Sequence, residues 1–490
     1  MLRQLNVYTT LILGILLLQN AFTQENFEEW KKKDRQKFQN YLDEQDKAFL
    51  KFLEQDWKAF QTDQGVEADP KPKPVEMPVA PKPQKPPERK IPKPEIKESS
   101  KKIKVPKPKP KPITEPEIQK PVSEPDKPQT TFDFFDKPLT VNYESPAPLF
   151  NRFSGNKKDI AAAWTKMAKS DYNETVQQLQ TLKNTMRLND WGYVLLIHAF
   201  SQKTAGANIN QQLLLDWFFL NKSGLQAKVA YQGKHILLMI PTRQMMYETP
   251  FTVIDGKRFY FAPFGHALNK GQPVYTYRGS HQAAEQDVGL DIVMMPVISR
   301  KNATKKLTFT YEDNHYALRV KYNADAIKFF NDYPQTELSL FFTATPSEAF
   351  QFSLLDALRP HVDGMTELQA VNFLLRFAQT AFGYKTDDIQ FGREKYLLPE
   401  ETIHYPDSDC EDRSILFAFL VEQLLGKKIL ILDYPGHIST AVNLGTTVSG
   451  DHVNYKGKQY TVCDPTYVNA RAGMAMPEYR DVTPKILGYK

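Results

Sequence analysis

The chain has 490 residues, a formal net charge of +6 and 41% hydrophobic residues, which allows two or three domains with a real buried core. Between Asp69 and Thr130 lie 16 Lys+Arg and 9 Asp+Glu, so the basic excess belongs to that stretch and not to a folded basic face, which argues against a nucleic-acid partner. Two cysteines, Cys410 and Cys463, exclude a disulfide-rich scaffold.

Residues 1–23 read as an export signal. Arg3 gives the positive start, Thr10 to Leu18 the apolar run, and Ala21-Phe22-Thr23 a cleavage site. The run is short for a membrane span, and no other stretch is long and apolar enough for one. The expected location is the periplasm or cell envelope of a bacterium, membrane-anchored if the signal stays uncleaved.

Residues 24–64 read as an amphipathic helix with an 11-residue repeat. Phe27, Phe38, Phe49 and Phe60 recur at that spacing, followed three positions later by Trp30, Tyr41 and Phe52. Eleven residues make three turns, so the rings form one nearly straight stripe that must be buried. Self-association, as in a coiled coil, or docking to an envelope partner would bury it. Residues 65–131 form a Lys/Pro-rich linker, with 18 of the 35 prolines between Pro70 and Pro128. Proline fixes φ and removes donors, so the expectation is a disordered stalk, reaching about 190 Å if fully extended as polyproline II.

The folded part is expected to be α+β. Residues 132–265 contain helices, then a helix over 209–222, then strands at 225–231, 235–240, 251–254 and 258–262. Residues 266–364 read as a β-rich region, with Leu307–Tyr311 and Leu338–Phe342 as strand-like runs. Residues 365–490 open with an amphipathic helix over 366–382 and carry the chemistry.

Cys410 opens an apolar helix in Asp407-Ser408-Asp409-Cys410-Glu411-Asp412-Arg413, His437 follows on an apolar strand, and Asp464 lies in Cys463-Asp464-Pro465. A thiol, an imidazole and a carboxylate in that order suit nucleophilic acyl transfer. Ser408 with Glu411 fits a capping box, placing Cys410 near the positive helix end, where a thiolate is favoured. Asp409, Glu411 and Asp412 oppose this, and are expected to point outward. The Cys410 N–H is a natural oxyanion donor. His404 and His452 are alternative bases on less suitable elements. Alternation points the Cys463 sulfur away from the face that Asp464 uses, so Cys463 reads as a packed core thiol. A calcium loop starting at Asp407 would need Gly at its sixth position and Glu at its twelfth. The chain has Asp412 and Ala418 there, so no metal is expected. No cofactor is expected either.

A shift of 202 residues superposes His235 on His437 and Pro263 on Pro465. It puts Asn208 where Cys410 is and Ala262 where Asp464 is. Residues 132–265 therefore read as a degenerate copy that keeps the imidazole alone. The Gly256-Lys257 and Gly457-Lys458 pairs match only with a one-residue slip.

The stretch 365–470 resembles the transglutaminase-like superfamily of papain-fold cysteine enzymes. The resemblance rests on Asp409-Cys410-Glu411-Asp412, Leu425-Gly426, Tyr434-Pro435-Gly436-His437 and Asp464-Pro465-Thr466. Phe377-Ala378-Gln379-Thr380, Tyr384-Lys385-Thr386-Asp387-Asp388 and Glu400-Glu401-Thr402 add to it. It implies a papain-like domain with Cys410 as nucleophile, His437 as base and acid, and Asp464 as orienter. It also implies a protein or peptide substrate. The expected function is that of an exported cysteine peptidase or amidase acting in the cell envelope. A non-catalytic peptide-binding scaffold and a protein cross-linking transglutaminase are the alternatives.

Overall fold

Two antiparallel sheets, each backed by a hydrophobic helix, organise the chain. The structure is a computed structural model, and it describes residues 44–67, 76–81, 102–105, 128–145, 148–298, 301–446 and 448–487. The export signal, the stripe positions before residue 44 and most of the Lys-Pro stretch lie outside the described residues.

Helix α1 spans 44–54 and is followed by strand β1 (Lys58–Phe60). The single helix expected over 24–64 therefore stops early, and Phe60 sits in a sheet instead of a helical stripe. The cause is local competition: β1 pairs with the free edge of a later strand at Val274–Thr276. Phe49 is buried intramolecularly, with its ring 4.7 Å from that of Trp164, 5.7 Å from Tyr277 and 5.3 Å from His281. Beneath it, Asp46 Oδ1 accepts from Lys222 Nζ at 2.5 Å and from Trp164 Nε1 at 3.2 Å.

A hairpin, β2 (Gln129–Phe134) and β3 (Lys137–Asn142), leads into helices α2 (Lys157–Ala168), α3 (Asn173–Thr185), α4 (Asp190–Ala205) and α5 (Ile209–Lys222). Nearly every position of α5 is buried, as its apolar run Leu213–Leu220 requires. Strands β4 (Lys228–Gln232), β5 (His235–Ile240), β6 (Phe251–Ile254), β7 (Lys257–Phe261) and β8 (Val274–Thr276) complete a six-stranded sheet of order β1-β8-β4-β5-β7-β6.

The region expected to be β-rich holds one long hairpin, β9 (Asn302–Tyr311) and β10 (Asn314–Asn323), then three helices: α6 (Ala324–Asn331), α7 (Leu338–Thr343) and α8 (Glu348–Val362). The run Leu338–Phe342 is helical, not a strand. Leu338, Phe341 and Phe342 are its buried residues, at the i, i+3, i+4 spacing of one helix face. Next come α9 (Glu367–Thr380), α10 (Asp387–Gln390), α11 (Pro399–His404) and α12 (Cys410–Leu425). A Thr366–Gln369 capping box starts α9, and Gly426 at φ +60° ends α12. Strands β11 (Ile429–Tyr434), β12 (His437–Val442), β13 (His452–Tyr455), β14 (Lys458–Cys463) and β15 (Lys485–Leu487) form a second sheet of order β13-β14-β12-β11-β15.

The second sheet repeats five strands of the first. Reversed, it reads β15-β11-β12-β14-β13, against β8-β4-β5-β7-β6. The register repeats too: Gln232 faces His235 as Tyr434 faces His437, and Ile240 faces Tyr260 as Val442 faces Thr461.

Two described pieces of the linker lie on this framework. Ile103 N donates to Met365 O and Gly364 N to Ile103 O, while Ala80 N donates to Val468 O. A single free run with a reach of about 190 Å is therefore not what the chain forms, because these backbone bonds tie it down at two points.

Candidate active site

Asp409 is the N-cap of α12, and Asp412 Oδ2 accepts from Asp409 N at 3.3 Å. The cap expected at Ser408 is thus displaced by one residue, and Ser408 Oγ instead accepts from Arg413 Nε at 3.1 Å. Cys410 becomes the first helical residue, so its N–H is one of the amides that open the helix. Its thiol donates to Glu411 Oε2 at 2.8 Å.

The acidic side chains around Cys410 were expected to face solvent. Asp409, Glu411 and Asp412 are instead buried. Burial is tolerable where donors are supplied. Asp412 Oδ1 accepts from Leu397 N at 2.8 Å, and Asp387 Oδ2 accepts from Lys395 N at 2.8 Å. Arg413, itself fully buried, adds a compensating cation. It donates to Gln379 O at 2.9 Å and Gly383 O at 2.7 Å, and burial lowers it only to about 10, so it stays charged near neutrality. Folding also brings Asp387, Asp409 and Asp412 within 4.8 Å of one another, a set different from the linear calcium loop considered above. Asp387 and Asp412 already accept backbone amides.

His437 owes its position to a tight turn. Pro435 and Gly436 (φ +78°) connect Tyr434 to His437, the first pair of the β11–β12 ladder, and this Pro-Gly order suits a type II turn. His437 Nε2 lies 2.8 Å from Asp464 Oδ2. Asp464 Oδ1 accepts from Thr466 N at 2.9 Å and Tyr467 N at 3.1 Å, which fixes the carboxylate. With Nε2 on Asp464, Nδ1 is the second ring nitrogen. That nitrogen is buried and has no hydrogen-bond partner. Helix and strand meet here: Ser414 Oγ, one turn beyond Cys410, donates to Ile438 O at 3.4 Å. His437 and Asp464 are thus joined directly, while the Cys410 sulfur is engaged by Glu411 in this conformation.

Both Cys410 and His437 are 0% exposed. Tyr479, on a 3-10 turn (Pro477–Tyr479), stacks on the imidazole with ring centroids 5.1 Å apart and planes 18° apart, and lies 5.1 Å from Tyr434. Burial first, then the charges of Glu478, Cys410 and Asp464, raise its phenol.

Neither Cys463 nor Cys410 forms a disulfide. Cys463 packs in the main core opposite Thr440, and burial pushes its thiol far up. The alternative bases are engaged elsewhere: His404 Nδ1 lies 3.0 Å from Tyr322 Oη, and His452 Nδ1 lies 3.1 Å from Gly450 O on the surface.

In the first unit, Asn208 caps α5 and so matches Asp409, leaving Ile209 at the position of Cys410. The β5–β7 register matches Pro263, not Ala262, to Asp464. The simple 202-residue shift is one residue off at both places, because the cap and the last hairpin each follow an offset of 201. The corrected positions still carry neither thiol nor carboxylate. His235 starts β5 as His437 starts β12, but it is exposed and its ring lies 4.2 Å from that of His266.

Four residues of the site were not singled out for a role from sequence: Glu411 as thiol acceptor, Arg413, Tyr479 and Gln379. Gln379 Nε2 donates to Asp464 O at 3.0 Å, Tyr467 O at 2.8 Å and Ala470 O at 3.1 Å. It thereby ties α9 to the loop behind the Asp464 carboxylate. Its only sequence signal was membership of Phe377-Ala378-Gln379-Thr380. No family model matches this chain, and no curated protein or solved structure matches it either.

Proposed function

We propose that Cys410, His437 and Asp464 form the catalytic triad of an exported, transglutaminase-like cysteine enzyme that cleaves peptide or amide bonds in the cell envelope. The reading rests above all on the His437–Asp464 pair, which leaves a buried imidazole nitrogen on the strand that packs against the helix of Cys410. In this scheme the Cys410 thiol turns from Glu411 to His437 Nδ1 and gives up its proton there. The thiolate attacks the substrate carbonyl carbon, and the oxyanion is held by the Cys410 N–H. The C–N bond then breaks as His437 returns the proton to the leaving amine, and a thioester remains. Water, deprotonated by His437, releases the carboxylate and restores the thiol. Asp464 holds the ring through Nε2–H and stabilises the imidazolium. The first sheet with α5 is the degenerate copy, retaining the strand order without the chemistry.

A second reading has its own observation. Burial of Cys410 and His437, with Tyr479 stacked on the ring, favours a peptide-binding scaffold whose triad is idle. Incubating the full chain and Cys410→Ala with an envelope proteome, with and without a labelled amine, separates the readings. New amino termini that require Cys410 support hydrolysis. Incorporated amine supports cross-linking, and no Cys410-dependent change supports the scaffold.

A further inference from the structure

Residues 76–81, Glu-Met-Pro-Val-Ala-Pro, lie extended against the loop that follows Asp464. Ala80 N donates to Val468 O at 2.7 Å and Val468 N to Pro78 O at 3.0 Å, the pattern of a strand added in parallel. Asn469 Nδ2 reaches Ala80 O at 3.5 Å. Val79 faces out, 63% exposed, while Ala80 is 1% exposed. Ala80 fills a pocket with Tyr467, Ala470 and Met476, and Tyr479 packs against the same cluster. Met77 Sδ meets Arg413 Nη1 at 3.4 Å, on the helix that begins with Cys410. One short segment therefore touches the helix of the thiol, the loop of the carboxylate and the cluster that holds the ring stacked on His437.

We infer that the Val468 edge is a docking subsite for an extended polypeptide, and that residues 77–80 occupy it in cis and latch Tyr479 over the triad. This rests on the catalytic reading of the same site and names its substrate class. Backbone pairing to Val468 accepts any extended chain, and the Ala80 pocket selects a small side chain. Pro78 and Pro81 bring no N–H, so the segment offers few donors to a further strand. A substrate enters by displacing the latch, which frees Tyr479 and exposes the thiol.

The test is the alkylation rate of Cys410 by iodoacetamide in the full chain, followed by mass spectrometry. In Ala80→Arg the side chain cannot enter the pocket. Labelling is expected to accelerate at least tenfold, and excess synthetic peptide of residues 76–81 is expected to slow it again. An unchanged rate in Ala80→Arg overturns the inference. So does acceleration that the peptide fails to slow, since only an intact edge can bind the peptide. His437→Ala in the Ala80→Arg background keeps the two claims apart. If the triad reading alone fails, labelling still depends on the latch but not on His437.

Discussion

Glu411 engages the Cys410 thiol from the next position in the chain. The Cys410 thiol donates to the buried Glu411 carboxylate at 2.8 Å, and in the proposed mechanism turning it to His437 Nδ1 is what readies it for attack. Buried acids nearby also shape stability. Glu400 on α11 is fully buried and accepts from Ser347 Oγ. Burial, opposed by the Ser347 bonds, raises it from 4.5 to about 7. The folded state therefore holds this proton more tightly than the unfolded chain. The stabilisation is complete below pH 4.5 and is lost as pH rises through about 7, a change of about 3 kcal/mol. Glu400→Gln should remove that part of the pH dependence. Urea midpoints at pH 5 and pH 8 should differ less in the variant than in the parent, and an unchanged difference would assign the slope to other groups.

Elements set the positions of these groups, and elements were where the sequence was easiest to read. The limits of α5 and β5 follow from apolar runs ended by polar residues, and the Pro-Gly turn announces the start of β12. Sequence and structure differ where periodicity is ambiguous. Leu338–Phe342 alternates well enough for a strand, yet its burial follows helical spacing. Ser408 and Asp409 both suit the cap of α12, and only the fold sends Ser408 to Arg413 and leaves the cap to Asp409. Gln379 was legible as part of a motif but not as a brace, since its three carbonyl partners lie far along the chain. Replacing it with Ala leaves those carbonyls without their shared donor. We expect a loss of about 2–3 kcal/mol in urea unfolding, with faster hydrogen exchange at Thr466 and Tyr467. A loss below 0.5 kcal/mol would mean that the loop is held by other bonds.

Across the whole molecule, one buried apolar cluster runs from Phe49 and Trp164 through α5, α9 and α12 to Cys463. That continuity could not be read from spacing, because it joins residues of both sheets with the N-terminal helix. It gives Phe49 an internal partner set for at least this part of the aromatic stripe. Phe49→Ala should destabilise the fold by about 3–5 kcal/mol, measured by urea denaturation at fixed protein concentration. A stability that changes with protein concentration instead would return the stripe to self-association. No described helix is long and apolar enough to cross a membrane. The His437–Asp464 pairing was legible from residue type and order, but the burial of the proposed triad under Tyr479 was not, because Tyr479 belongs to an irregular segment without a motif. The claim on which the chemistry depends is that His437 activates Cys410. Its most direct test is the pH profile of Cys410 alkylation in the Ala80→Arg chain with and without His437→Ala. We predict that losing the imidazole slows labelling at neutral pH at least tenfold and moves the profile toward that of an ordinary thiol. Superimposable profiles would contradict the account.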